Sequence, residues 1–437
     1  MRNLSRFAAL TLALAGCQRD DHEDRVPPAA PSDLQASALS SARIAISWTD
    51  ASDNENGFLA EISSNGLDFI QIADLPADTT NTVISGLAPS TTYYFRVRAY
   101  GYRTVSAWSN VASATTPSLA WSRLSPTGTP PAPRTDHAAV YDEAEQRMVV
   151  FGGWGTISYK DTWTLDQSPA WTDITPLSGP SERYMHAAAY DPVGRRVIVF
   201  GGMDEDFVFP NNNEVWAFDL SSDSWSLLLD RGLPGAPLSR MGHSLVYDPP
   251  NHRMILFGGD DGSGTGSNDV WALDLAAPSW TRITPAGTPP HRRHGHSAIC
   301  DEANRRMIVF GGNDGSPYTN DTWALSLSGA PIWTRLTPNG IPPSARSGHA
   351  AIYDAAEHRM FVFGGEDVDI SNPTRNDIWV LTLSGPLEWH PCFAIGESPS
   401  PRTGHSAVYA PQSQALILFG GWDGVSSYNN EVWNLGL

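Results

Sequence analysis

RTDHAAVYD (134–142), RMVVFGG (147–153), KDTWTL (160–165) and WTDIT (171–175) are four short β-rich runs, separated by turn residues, within one stretch of chain. The second of them ends in Phe-Gly-Gly, which is part of a pattern that recurs. Phe-Gly-Gly appears with Phe at 151, 200, 257, 310, 363 and 419. A histidine stands fourteen residues before each Phe, at 137, 186, 243, 296, 349 and 405, whereas the distance from each Phe to the next histidine varies. Self-similarity at such a period marks a repeat architecture, here with a fixed first hairpin and free later loops. Six units of four strands are predicted over residues 118–437.

Two tryptophans are spaced through the later strands of five units, as Trp163 and Trp171, Trp216 and Trp225, Trp271 and Trp280, Trp323 and Trp333, and Trp379 and Trp389. The sixth unit has only Trp433, and the chain ends at Leu437. With the Gly-Gly after the second strand, this pattern resembles the kelch repeat. The resemblance covers all six units and implies an all-β, six-bladed β-propeller. Trp121-Ser122-Arg123-Leu124 precedes the first unit as an orphan strand, and is expected to complete the last blade, removing an aggregation-prone edge.

Residues 31–117 carry six shorter β-rich runs. Trp48 and the stretch GLAPSTTYYFRVRAY (86–100) resemble the fibronectin type III module. That resemblance implies a β-sandwich with Trp48 and Leu87 in the core and Tyr93 at its corner. No Arg-Gly-Asp tripeptide occurs, and a rigid spacer is the expected role.

Arg2 and Arg6 flank an apolar run, Phe7 to Ala15, that is too short for a permanent span and reads as a signal peptide over 1–16. Leu14-Ala15-Gly16-Cys17 resembles the bacterial lipobox, so Cys17 is the expected lipidation site, and Gln18 after it permits outer-membrane sorting by that resemblance. Residues 17–30 read as a disordered tether. The expected location is the bacterial cell envelope, lipid-anchored at the outer membrane or cell surface. A formal net charge of −19 disfavours nucleic acid as a partner. Three cysteines, Cys17, Cys300 and Cys392, make no disulfide framework.

Residues present in every unit hold the repeat. Arg134, Arg183, Arg240, Arg293, Arg346 and Arg402 are expected to pair with Asp161, Glu214, Asp269, Asp321, Asp377 and Glu431. The six histidines are spread around too wide a ring to share a metal, whose ligands lie near 2 Å from it. Asp142, Asp191, Asp248, Asp301 and Asp354 are each followed by an arginine five residues on. The sixth unit has Ala410 and Ala415 instead, so exposed pairs across the hairpin turn are expected.

Departures from the repeat are the functional candidates, on the face opened by the second-to-third-strand and fourth-to-first-strand loops. They are the aromatics Trp154, Tyr159, Phe207, Phe209, Tyr318, Trp422 and Tyr428, with the acids Asp261 and Asp423. Asp204, Asp314 and Asp367 share the position of those two acids, and Glu205, Asp206, Asp260, Glu366 and Asp369 stand near it. Aromatics mixed with carboxylates suit sugar stacking or a protein hot spot. The expected function is an envelope-anchored binding or adhesion lipoprotein, a monomer with an unidentified protein or glycan ligand. No catalytic residue, metal or cofactor is assigned, since HRRHGH (291–296) fits no zinc spacing. Some kelch propellers, galactose oxidase and the sialic acid epimerase among them, are enzymes. The alternative is therefore a carbohydrate-active enzyme, epimerase or oxidase-like.

Overall fold

The computed structural model describes residues 26–204, 212–262, 266–313, 318–368 and 373–437. The signal peptide and Cys17 lie outside them, as do Phe207, Phe209 and Asp314. The described chain is all-β, and Thr115–Leu437 falls wholly in the larger of two compact units.

The N-terminal strands form a sandwich. Ser32–Ser40, Arg43–Thr49 and Asn81–Ile84 make one sheet, while Ile70–Pro76, Gly57–Ser63, Thr92–Gly101 and Thr104–Val105 lie in the other. Thr92–Gly101 alternates buried and half-buried side chains, as a strand with one covered face must. Trp48, Leu87 and Tyr93 are all buried, and Trp48 packs 5.6 Å from Phe58.

The repeats each form one antiparallel sheet in sequential order. The first is Ala138–Asp142, Arg147–Trp154, Ser158–Leu165 and Trp171–Asp173. In the sixth, Ser406–Ala410, Ala415–Phe419 and Val432–Gly436 are joined by Leu119–Leu124, which pairs antiparallel with Val432–Gly436. Trp121 supplies the second tryptophan that the sixth repeat lacks.

Each second strand is a continuous apolar run because both its faces are covered. Met148, Val149, Val150 and Phe151 are all buried. Met148 and Val150 pack with Val408 and Phe419 of the sixth repeat, while Val149 and Phe151 pack with Val197, Val199 and Phe218 of the second. The repeated Phe is clamped by the following repeat. Phe151 meets His186 edge-on at 5.2 Å and Trp225 at 4.7 Å, and Phe419 meets His137 at 5.1 Å and Trp171 at 4.9 Å. Trp121 plays the same part against Phe363, at 5.3 Å.

The glycines after Phe follow from this clamp. Gly152 has φ +65°, and a Cβ there would lie 2.6 Å from the Arg183 carbonyl oxygen and 3.0 Å from His186 Cε1. Only glycine lets the next repeat approach so closely.

The residue before each clamp histidine adopts a left-handed conformation and bonds to its counterpart. Asp136 N–H donates to the Gly404 carbonyl, Met185 to Asp136, Gly242 to Met185, Gly295 to Gly242, Gly348 to Gly295 and Gly404 to Gly348, over 2.7–2.9 Å. The six donations return to their starting residue.

All six arginine–carboxylate pairs form, at 2.6–2.9 Å, with each arginine at most 3 % exposed. Each guanidinium also donates to the carbonyl of the first glycine after Phe in its own repeat. In five repeats the carboxylate accepts a further bond from the indole N–H two residues later. The pairs across the first hairpin also form, at 2.7–3.2 Å, with Ala410 opposite Ala415 in the sixth. They correct one expectation, because the five aspartates are buried rather than exposed. Asp142 and Asp191 also accept turn N–H groups, and Arg147 and Arg196 reach carbonyls of the next repeat, which draws these pairs inward.

The clamp histidines are buried and held neutral, their pKa values depressed chiefly by burial and next by the nearby arginine. Three of them bond to a serine of the preceding repeat: His137 to Ser406, His296 to Ser244 and His349 to Ser297. His186, His243 and His405 face Ala138, Ala187 and Ala350 at that position and have no such hydroxyl.

Two outcomes are expected. Deleting residues 118–126 strips the sixth sheet of its outer strand and its tryptophan, so the melting temperature should drop sharply; an unchanged value would contradict the pairing. His243, His349 and His405 fall from 6.5 in the unfolded chain to about 3 when folded. Below pH 6.5 the unfolded state takes up protons that the folded state refuses, so stability is full above that pH and lost as pH falls. Each such histidine contributes a slope of about 1.4 kcal/mol per pH unit well below its unfolded value. Thermal melts from pH 8 to pH 5 should show a steep decline beginning near pH 6.5, whereas a flat profile would disprove neutral burial.

Candidate functional site

Loops between second and third strands, and those entering first strands, surround a cavity of about 510 Å³. Its walls include the six clamp histidines and the six left-handed residues that precede them, so it lies where all the repeats meet. That volume falls in the range of ordinary small-ligand sites.

Three of the predicted residues converge on it. Trp154 of the first repeat and Trp422 and Tyr428 of the sixth line the cavity, all half-buried. Trp154 Nε1 donates to Tyr428 Oη at 3.1 Å, and its ring lies 5.2 Å from that of Tyr184. Trp422 forms backbone bridges to Thr403 and Tyr428. The seam between first and last repeats therefore presents an aromatic wall.

The other candidates do not line the cavity. Tyr159 lies against the Arg134 guanidinium, 4.3 Å from it, and so covers a structural ion pair. Tyr318 donates from Oη to Glu366 Oε1 at 3.1 Å, and thereby positions a carboxylate of the next repeat at the cavity wall. Asp423 accepts the backbone N–H groups of Val425, Ser426 and Ser427, the turn-forming role of a short acidic side chain. Asp261 is half-buried beside Asp260, whose carboxylate accepts the Gly262 N–H at 2.9 Å. Asp367 pairs with Arg375 at 2.7 Å.

Sequence reasoning missed two residues in this wall, Asp136 and Met185. Four repeats carry glycine before the clamp histidine, at 242, 295, 348 and 404, while the first and second carry Asp136 and Met185. Both keep the left-handed conformation, with φ +54° and +55°, in which side chains are disfavoured. The signal was present as R-x-G-H in four repeats and its loss in two. Burial, reinforced by the charge of Glu366, pushes Asp136 up to about 7. Glu366 is itself raised by burial, with the Tyr318 hydrogen bond and His294 opposing.

The histidine cluster at 291–296 does not converge: His291 is exposed, His294 lines the cavity and His296 is a buried clamp residue. Cys300 sits on a first strand and Cys392 on a fourth; both are free thiols pushed up to about 12 by burial. Among the described residues, Asp50, Glu55 and Asp78 of the sandwich form an acidic group whose ligand atoms lie within 4.8 Å of one another. Ser52 and backbone amides already occupy part of that group.

Comparison with known proteins agrees with this architecture. Residues 100–236, 233–353 and 328–437 match the KLHDC2/KLHL20/DRC7 Kelch-repeats domain, and residues 29–115 match the fibronectin type III domain. The chain is similar to acyl-CoA-binding domain-containing protein 5 of Arabidopsis thaliana, 33% identical over 221 residues, 50% of this chain and 32% of that protein. It is also similar to the leucine-zipper-like transcriptional regulator 1 homolog of Drosophila melanogaster, 31% identical over 185 residues, 40% of this chain and 18% of that protein. The chain thus spans a third or less of the length of these relatives. Among solved structures, a fungal alcohol oxidase in complex with copper matches with a TM-score of 0.48 and 14% identity, covering 94% of this chain and 74% of that one. With family matches reaching from residue 100 to 437, this chain belongs to the kelch-repeat family, and it carries a fibronectin type III domain before its repeats.

Proposed function

We propose that the chain is an envelope-anchored binding or adhesion lipoprotein, in which the six kelch repeats close into a six-bladed β-propeller that presents one face to a protein or carbohydrate ligand. The convergence of Trp154, Trp422 and Tyr428 on one cavity carries this reading. Large aromatic faces beside hydrogen-bonding groups are the surfaces that bind sugars and protein hot spots. Kelch repeats commonly mediate protein interactions, and the fibronectin type III domain serves as a spacer in this reading. Lipidation at Cys17 anchors the chain, and residues 17–30 act as its tether.

A second reading, a carbohydrate-active enzyme, draws on Asp136. A carboxyl that titrates at about 7 beside a second acid has the proton affinity that general acid–base chemistry needs at neutral pH. Fold does not choose between these readings.

Two measurements test the proposal. In a bacterial host fed radiolabelled palmitate, the wild type should be labelled and Cys17→Ala should not; equal labelling removes the anchor. On a glycan array and in a pull-down with defined envelope proteins, the purified full chain should bind a ligand that Trp154→Ala or Trp422→Ala releases by tenfold or more, on the order expected for an aromatic anchor. Chemical turnover of the bound glycan would instead favour the enzyme.

A further inference from the structure

We infer that the cavity receives a lysine side chain of a protein partner, its ammonium group held between Asp136 and Glu366 and its methylene stem against Trp154, Trp422 and Met185. This deepens the binding reading given above and rests on it.

Four observations point the same way. The cavity wall combines aromatic side chains with two carboxylates, the composition that recognises organic cations, through the negative faces of the rings and direct charge pairing. Among the described residues lining it there is no lysine or arginine, so those carboxylates meet no permanently charged cation in the wall, only the Thr135 hydroxyl beside Asp136, and the Tyr318 hydroxyl and His294 beside Glu366. His186, His243 and His405 also line it, each more than nine-tenths buried, and none of them bonds to a serine hydroxyl as the other three clamp histidines do. As neutral imidazoles they offer acceptor lone pairs rather than repelling charge. Finally, Asp136 and Met185 replace glycine at two adjacent left-handed positions where four other repeats keep it. Unlike the left-handed turn residues of the first hairpins, which are never glycine in any of the six repeats, these two depart from a glycine kept in the other four, and both line the cavity.

The raised proton affinities of Asp136 and Glu366 agree with two acids that lack a cation of their own. Met185 is 36 % exposed, an apolar side chain available to a methylene stem. The overall charge of −19 steers basic partners toward the protein before contact. An acidic partner would meet repulsion at each of these steps. A neutral sugar would use the two acids only as hydrogen-bond acceptors, without the direct charge pairing that an ammonium group adds.

The test is a ligand-observed NMR titration of the full chain with Nα-acetyl-lysine methylamide, its norleucine counterpart, which has the same stem without the ammonium, and glucosamine. The lysine compound should bind about tenfold or more tighter than the norleucine compound. Asp136→Asn and Glu366→Gln should each reduce that preference severalfold. Asp136→Gly should do the same, and as glycine already serves at this position in four repeats, it separates loss of the carboxylate from loss of folding, checked by an unchanged melt. Equal affinity for the lysine and norleucine compounds overturns the inference, as does lysine binding undiminished in Asp136→Asn and Glu366→Gln together. Tighter binding of glucosamine than of the lysine compound also overturns it. In each of those cases, binding that Trp154→Ala abolishes would still support a ligand-binding face, so the broader proposal fails separately.

Discussion

The sheet of each kelch repeat must bury both of its faces, and the contact that does so is the same every time: a phenylalanine held between the histidine and the outer tryptophan of the following repeat. The clamp gives one direction to the whole array, since each Phe looks forward to the next repeat. Burying a side chain of that size stabilises by roughly 2–3 kcal/mol, so a single unclamped copy costs a sizeable part of a domain's net stability. An array built on this contact has no natural end. The sixth Phe, Phe419, needs a histidine and tryptophan beyond the last repeat, and finds them in His137 and Trp171 of the first. Conversely Phe363 requires a tryptophan that the sixth repeat does not encode after its own third strand. Trp121, 242 residues before Phe363 in sequence, fills that place.

The glycines belong to the same constraint. Close approach at Gly152 and its equivalents keeps the Arg carbonyl and the histidine ring of one repeat against the backbone of another. Substitution there would push the sheets apart rather than merely strain one turn. The arginines stiffen the same corner from within, since each bridges a Gly carbonyl of its own repeat and a third-strand carboxylate. A buried guanidinium without its acid is costly, on the order of 3–5 kcal/mol, which accounts for acids and arginines occurring in all six copies together.

Much of this was legible because repetition supplies its own controls. Six copies separate what a position requires from what it happens to hold, and so the arginine–carboxylate pairs, the hairpin pairs and the orphan N-terminal strand could be read from spacing alone. Burial of the hairpin aspartates could not, because it depends on the neighbouring repeat reaching over them with its own turn. The candidate site was half legible. Trp154, Trp422 and Tyr428 stood out as aromatics that the repeat does not explain. Tyr159 stood out equally, yet lies over Arg134, because spacing says nothing about which way a loop folds back. Asp423 followed the turn chemistry of its type, and Tyr318 acts through Glu366.

Asp136 and Met185 were missed for a different reason, one that concerns how departures are recognised. A substitution of glycine is visible only when glycine is known to be required, and the requirement here arises from backbone bonds that pass from repeat to repeat. Those bonds need a left-handed residue in every copy, and four copies meet it at no steric cost. The first and second meet it with side chains that project where the repeats converge. Aspartate tolerates that conformation better than methionine does, yet neither is the least costly choice. The first of these copies meets the sixth where Trp154 bonds to Tyr428, and the second sets Tyr184 against the same indole, so the departures in backbone and aromatic surface lie in neighbouring copies, while the fifth adds Glu366 to the wall. A scaffold with six equivalent positions has no reason to concentrate its exceptions; an asymmetric ligand gives it one.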